Sequence, residues 1–533
     1  MKARILLLPL ALLFILAFTQ CAKRGRPTGG AKDTIPPKPL RINPKNLQTN
    51  FSGNKVTILF DEYIRLDKLQ ENLIISPPME KTPTITPYNV SKTLEIEIAD
   101  SLAPNTTYTF NFGNSIVDNN EGNILEQFEY VFSTGDYIDS LKLRGKVIDS
   151  RLLNLKKKTG VNLYKLDETF HDSIITKGKP NYVSVTDEEG NFRFTNLADG
   201  KYLLVAIQKE KDGNPYIYNA AEDKFAFHST PITIPNDSIY NLYLYRERGG
   251  YYLSRPEMVN ENLVRFGYRT DGNLPNIELE NIPENVDTRI TKEVGKDTLY
   301  FWYHPSIETD SLHFNISYKD SVQLSKIKIK EDIKPKPFKL NKIDIQTPND
   351  TLKFRLDTPL DEVNENYISL VDEDSISVPF KTSVDRLHSI FSLSFDKEYR
   401  SNYYIQFLPG AIIDWQGETN DTIHTSVRTK SESEYGSLHL NIQGINDFPV
   451  KVDLLDSDSK LVKTDYLNEE RQINFMHLSK GTYYVRLSYD INENGKWDSG
   501  NFSTRTQPEP VFFFYTPIEV HANWSVNETF RVP

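Results

Sequence analysis

Phe194-Thr195-Asn196-Leu197-Ala198-Asp199-Gly200-Lys201-Tyr202 has a counterpart later in the chain, Phe475-Met476-His477-Leu478-Ser479-Lys480-Gly481-Thr482-Tyr483. In both, a turn, a glycine and a tyrosine-led strand keep one spacing, and a polar loop follows. A second pair of blocks repeats as well. The chain around Leu59-Phe60-Asp61 reads much as it does around Arg355-Leu356-Asp357, and Thr107-Tyr108 through Ile116-Val117-Asp118 resembles Tyr403-Tyr404 through Ile412-Ile413-Asp414. Each copy closes on a final strand, Phe128 to Thr134 and Ile423 to Thr429. Two kinds of repeat give the order A, B, a middle segment, A′, B′.

Between the repeats the pattern is short alternating runs such as Val56-Thr57-Ile58-Leu59-Phe60, divided by turn residues at the spacing of antiparallel sandwiches. Aromatic and β-branched residues are abundant, with 29 Tyr and 29 Phe against 4 Met, which favours strands. The one candidate helix, around Asp61 to Glu71, is brief. The 533 residues are enough for several domains at roughly 100–200 residues each. The expected fold is all-β: tandem antiparallel β-sandwich domains at 41–136, 137–249, 250–337, 338–432 and 433–533. Breaks fall at Gly249-Gly250, Lys334-Pro335-Lys336-Pro337 and Ser431-Glu432-Ser433-Glu434.

The N-terminus is of a different kind. Lys2 and Arg4 precede an apolar run from Ile5 to Phe18, too short for a bilayer span of about 20 residues and suited to the core of a signal peptide over residues 1–20. Ala17-Phe18-Thr19-Gln20-Cys21 resembles a bacterial lipoprotein signal, in which the cysteine is acylated and becomes the new N-terminus. Gln20 stands where such signals carry a small residue. Cys21 is the sole cysteine, so no internal disulfide exists. The alternative is ordinary cleavage that leaves Cys21 unmodified. Residues 21–40, rich in Gly, Lys and Pro, read as a lipidated tether. Ala22-Lys23-Arg24-Gly25 after the cysteine leaves the membrane leaflet open.

Two family resemblances follow. Residues 41–135, through Asp61-Glu62-Tyr63, Asn105-Thr106-Thr107-Tyr108 and Phe132-Ser133-Thr134-Gly135, resemble the bacterial Ig-like domain first named from S-layer proteins. Gly145-Lys146-Val147-Ile148-Asp149 with Thr186-Asp187-Glu188-Glu189-Gly190-Asn191-Phe192-Arg193-Phe194 resembles the carboxypeptidase-regulatory, transthyretin-like sandwich. Together with the leader they imply an exported, non-catalytic envelope lipoprotein of a Gram-negative bacterium, at the outer membrane.

Catalytic constellations are missing from the sequence. The nine His are scattered without His-Glu-x-x-His, no Gly-x-Ser-x-Gly elbow occurs, and Gly295-Lys296 and Gly495-Lys496 lack the rest of a phosphate loop. Among 73 Asp and Glu a hydrolytic carboxylate pair could still meet in space. A net charge of −11 argues against a nucleic-acid partner.

Three features are candidate sites. Asp490-Ile491-Asn492-Glu493-Asn494-Gly495-Lys496-Trp497-Asp498 places oxygen ligands as in a calcium loop: side chains of Asp490, Asn492, Asn494 and Asp498, and the carbonyl of Lys496. Asn501 replaces the bidentate Glu, so calcium affinity should be modest. A plain polar hairpin is the alternative. No other cofactor is implied. Asp followed by Ser or Thr and an aliphatic residue occurs at Thr34, Ser101, Ser140, Ser173, Ser238, Thr298, Ser311, Ser321, Thr351, Ser375 and Thr422. That tripeptide resembles an O-glycosylation signal of some Gram-negative envelopes, and it is also a common turn into a strand. Finally, Tyr251-Tyr252, Tyr300-Phe301-Trp302-Tyr303 and Phe512-Phe513-Phe514-Tyr515 offer rings either to sandwich cores or to sugars. The functional expectation is a membrane-anchored scaffold or adhesion module with an unidentified envelope protein or glycan as partner. Surface glycan capture is the alternative.

Overall fold

The computed structural model describes residues 32–211, 213–247, 252–270, 272–329, 336–343 and 347–532. Residues 1–20, Cys21 and the first part of the tether lie outside them, as do Gly249-Gly250, Tyr251 and Lys334-Pro335. The chain is all-β, a tandem array of antiparallel sandwiches. It divides into two compact units, one ending at Ser140 and one running from Leu141 to the C-terminus.

In the first unit, strands Pro39–Asn43, Lys55–Leu66, Ser91–Glu97 and Thr84–Thr86 form one sheet in that spatial order, and Ile74–Ser76, Thr107–Asn111 and Glu129–Ser133 form the other. Alternation along Lys55–Leu66 sends Val56, Ile58, Phe60 and Ile64 inward to meet Phe110, Tyr130 and Phe132 from the facing sheet. The expected helix at Asp61–Glu71 gives way here. Residues 61–66 continue the strand, and only Leu69–Asn72 makes a helical turn. Alternation with period two wins because Ile64 must reach the core. Residues 33–38 lie along this sandwich: Asn123 Nδ2 donates to the Asp33 carbonyl at 3.1 Å, and Lys38 N to Asp61 Oδ1 at 2.8 Å.

The fourth sandwich repeats the first strand for strand. Leu340–Ile343, Leu352–Leu356, Ile390–Ser394 and Lys381–Asp385 face Ile368–Val371, Asn402–Phe407 and Ile423–Arg428. The likeness extends to single hydrogen bonds. Tyr108 Oη accepts from Ala103 N at 2.9 Å and Tyr403 Oη from Glu398 N at 2.7 Å. Thr134 Oγ1 donates to the Ala103 carbonyl and Thr429 Oγ1 to that of Glu398. Tyr403 therefore takes the place of Tyr108, one residue from the sequence pairing with Tyr404, which is exposed.

The middle segment has the same architecture, with no repeat in its sequence to announce it. Glu257–Asn260, Leu263–Arg269, Thr298–His304 and Asp287–Lys292 form its first sheet, and Asn276–Leu279, Ser311–Tyr318 and Ser321–Lys328 its second. The order of sandwiches is A, B, A, A, B.

The second and fifth sandwiches are of the other kind. In each, the opening strand is central in a three-stranded sheet and pairs in parallel with the closing strand: Leu141–Asp149 with Ile239–Leu244, and Gly436–Gln443 with Ser525–Arg531. The repeated turn is preserved in detail. Asn196 and His477 both have positive φ, and Tyr202 and Tyr483 each donate a hydroxyl to the carbonyl four residues earlier, at 3.1 and 2.7 Å.

These two sandwiches, far apart in sequence, share a core. Along Gly200–Gln208, Tyr202, Leu204 and Ala206 face their own partner sheet, while Leu203, Val205 and Ile207 face outward and are equally buried. Part of what covers them belongs to the second sandwich itself, Ile175 and Tyr218 among others. The rest is Leu455, Trp497, Phe502, Val511 and Phe513 of the fifth. Phe502 sets its ring edge-on to Phe225 and Phe227, with centroids 5.3 and 5.2 Å away. Within the second unit the chain thus returns upon itself.

Candidate functional site

The loop Asp490–Asp498 leaves the long strand Gly481–Tyr489 next to this shared core. Its shape is set by Asx turns. Asp490 Oδ1 accepts from Asn494 N at 3.0 Å and Oδ2 from Gly495 N at 2.7 Å, while Asn494 Oδ1 accepts from Lys496 N at 2.8 Å. Gly495 has φ +75°, where a side chain would be strained. Trp497 turns inward, 8% exposed, and its Nε1 donates to the Glu509 carbonyl at 2.9 Å. Gly500 permits the close approach of the second sandwich, since a Cβ there would sit 2.7 Å from the Tyr245 ring.

Of the expected ligands, Asn492, Asn494 and Asp498 come together. Both side-chain amides donate to Asp498 Oδ2, at 2.5 and 2.7 Å. Rotating either amide by half a turn would present oxygen in place of nitrogen. Asp490 lies at the base of the loop, its two oxygens already accepting backbone N–H groups. Asn501 points away from this group, and its Oδ1 accepts from Ser503 Oγ and Thr504 N in a following turn. Among the described residues no group of three His, Cys, Asp or Glu side chains is placed to hold a metal ion.

Glu509 was not legible in the loop motif. It is 8% exposed, and its carboxylate accepts from Ile491 N at 2.8 Å and Asp498 N at 2.7 Å, clasping both ends of the loop. Burial raises its pKa, and Asp498 and Asp490 add to the rise. The only local signal is Pro508-Glu509-Pro510, a carboxylate held between two rigid residues. The second sandwich has Lys209 where the fifth has Asp490, at the end of the equivalent strand. Lys209 Nζ pairs with the buried Asp223 at 2.6 Å, a cation in the place of an anion.

Buried polar contacts pin the second sandwich to the fifth around this loop. Arg486, held by Asp453, donates from Nη1 to the Arg151 carbonyl at 2.7 Å. The Arg151 guanidinium lies over the Trp497 ring, 5.3 Å from its centre. Glu247 accepts from Tyr218 Oη at 2.9 Å and from Phe502 N. Burial and the Glu247 charge raise the pKa of Tyr218, so its hydroxyl stays protonated as the donor.

The remaining candidates are placed as follows. All eleven Asp-Ser/Thr hydroxyl residues lie at the surface, nine exposed and Thr298 and Ser311 half-buried. Most stand at the entry to a strand, as Ser238 before Ile239–Leu244 and Thr351 before Leu352–Leu356. Of the aromatic runs, Phe301, Trp302, Tyr303 and Phe513 are buried, and only Tyr252 and Tyr515 are about half exposed. Those runs build cores. No helix among the described residues is long and apolar enough to cross a membrane.

The first sandwich can be placed among known domains. Residues 33–134 match the bacterial Ig-like domain family. No curated protein sequence matches significantly. The chain is also similar to many solved structures, among them the following three. The TIE protein of Bacillus anthracis is 11% identical, over 95% of this chain and 75% of that one, with a TM-score of 0.15. The major pilin subunit BcpA of Bacillus cereus is 12% identical over 73% of this chain and 99% of that one, TM-score 0.13. Domains 1–6 of the surface layer protein SbsC are 11% identical over 90% and 66%, TM-score 0.15.

Proposed function

We propose that this protein is an exported lipoprotein, anchored through acylated Cys21, that serves as a non-catalytic scaffold or adhesion module of the cell envelope. The supporting observation is the array itself: five β-sandwiches, the first matching a bacterial Ig-like family, behind a leader that ends in the chain's single cysteine. Two or three acyl chains, at about 0.8 kcal/mol per buried CH₂, would make attachment effectively permanent. The exposed Asp-Ser/Thr sites would be accessible to O-glycosylation after export. Cell fractionation with intact-protein mass reads these features together. Native protein should be found with membranes at a mass above the bare chain from Cys21, and Cys21→Ser should be soluble or retain its leader. A processed Cys21→Ser protein still in the membrane fraction would refute the anchor, and a native mass equal to the acylated bare chain would remove the glycans.

Calcium belongs to the same proposal. The residues that would hold it are Asp490, Asn492, Asn494 and Asp498 with the Lys496 carbonyl, after rearrangement of the loop, and the ion would relieve the crowding of negative charge between Asp490, Asp498 and Glu509. Stabilisation should be modest, about 1–1.5 kcal/mol at ten times Kd. Thermal melts of the full chain in calcium and in chelator test it; coincident midpoints would leave the loop a plain hairpin.

A further inference from the structure

A cleft of about 590 Å³ opens beside the same loop, where the second, third and fifth sandwiches meet. Its walls are basic in a chain of net charge −11. The second sandwich contributes Arg151, Lys224 and Arg246, the third Arg269 and Lys292, and the fifth Lys451 and Lys496. Against these stand only Asp149, Glu247 and Asp297 among the described lining residues.

Of these carboxylates Asp149 is cancelled by Lys224, and Glu247 keeps its charge among neutral donors. Arg246 pairs at 3.1 Å with Glu210, which leaves Arg151, Arg269, Lys292, Lys451 and Lys496 as the excess. Asp149 is buried, pairs with Lys224 at 2.6 Å and accepts from Arg151 N and Leu152 N. Glu247 accepts from Tyr218 and Phe502 N. Several cations rest on neutral groups. Arg269 donates to the carbonyls of Ala220 and Ala221. Lys292 lies over the Tyr268 ring at 5.9 Å. Lys451 is 3.8 Å from Asp453, a carboxylate that Arg486 already occupies at 2.6 Å. Exposed Lys496 extends across to the Gly272 turn of the third sandwich, its Nζ 3.9 Å from where a Cβ there would sit. A concave, low-dielectric site with one sign of charge in excess concentrates counter-ions of the opposite sign, and this volume lies within the range of small-ligand sites.

We infer that the cleft binds a multiply charged oxyanion ligand, its charge carried by phosphates or carboxylates and neutralised from three sandwiches at once. The inference goes beyond the scaffold reading and does not depend on acylation of Cys21. Calorimetric titration of the full chain without its leader tests it with four probes. Inorganic tripolyphosphate and citrate carry the charge alone, trigalacturonate carries it on a sugar chain, and maltotriose is the uncharged match. The expected result is saturable binding of at least one charged probe and none of maltotriose, weakening as salt is raised. Lys292→Gln with Lys496→Gln should reduce affinity tenfold or more, and Lys496→Gln alone, at an exposed position, several-fold. Lys353→Gln, exposed on a strand outside the cleft, should change nothing. Which charged probe binds best separates free phosphate or carboxylate from an acidic sugar. No binding by any charged probe, equal binding of maltotriose, or unchanged affinity in Lys496→Gln would overturn it.

Discussion

Asp453→Ala is expected to lower the protection of the fifth sandwich's strands Val450–Asp456 and Gly481–Tyr489 by about 3–5 kcal/mol in native-state hydrogen exchange. Asp453 is fully buried, and its carboxylate accepts from Arg486 Nε at 3.2 Å, Arg486 Nη2 at 2.6 Å and Thr464 Oγ1 at 2.7 Å. Arginine cannot shed its proton in a protein interior. Removing the carboxylate would therefore strand a guanidinium whose side chain is only 5% exposed. The loss comes from that uncompensated charge rather than from the worth of the pair. Asp453→Leu combined with Arg486→Met should accordingly recover most of the fifth sandwich's own stability. It should not recover the tie to the Arg151 carbonyl, so the second sandwich should remain less protected. If the single and double variants lose equally, the pair is not the element at fault.

Trp497→Ala should cost about 3–5 kcal/mol, the usual range for emptying a buried aromatic site. The indole fills the shared core beside Leu455 and Phe502, donates to the Glu509 carbonyl and carries Arg151 on its face. Trp497→Phe retains most of the packing and forfeits one hydrogen bond, a smaller loss of about 1–2 kcal/mol. The distinguishing feature is where the effect appears. Amides of Gly200–Gln208, in the second sandwich, should exchange faster in Trp497→Ala although nearly 300 residues of chain intervene. A change confined to the fifth sandwich would mean that the two cores are independent.

Much of this fold was legible because a sandwich strand alternates, and the turns that join strands reuse the same residues. The Gly200 and Gly481 turns and the Asp118 and Asp414 loops announced both repeat types. The third domain was expected as a sandwich, but its kinship with the first escaped because its strands follow the common order without a shared turn sequence. The joint between the second and fifth sandwiches left a fainter trace. Tyr202-Leu203-Leu204-Val205-Ala206-Ile207 is apolar without alternation, the mark of a strand covered on both faces. Phe512-Phe513-Phe514 has the same cause, with Phe513 turned to the joint and its neighbours to their own core. What no single sequence reveals is which two doubly covered sheets meet. The calcium-like spacing was readable for the same local reason as the turns. Glu509, which arrives from beyond the loop, was not, and neither was the basic cleft, whose cations are scattered over three sandwiches.

The shared core is tested most directly by covalent capture across it. Arg505 Nη2 and Asp172 Oδ1 are 2.5 Å apart, on opposite sides of the joint, with side chains 41% and 55% exposed. With Cys21→Ser removing the native thiol, Asp172→Cys and Arg505→Cys place one cysteine on each sandwich, and a short bismaleimide can link them. In dilute protein the expected product is an intramolecular loop that migrates faster than the linear chain in a denaturing gel, its yield reduced in the Trp497→Ala background. A monomer that stays linear under conditions where both thiols react would contradict the shared core.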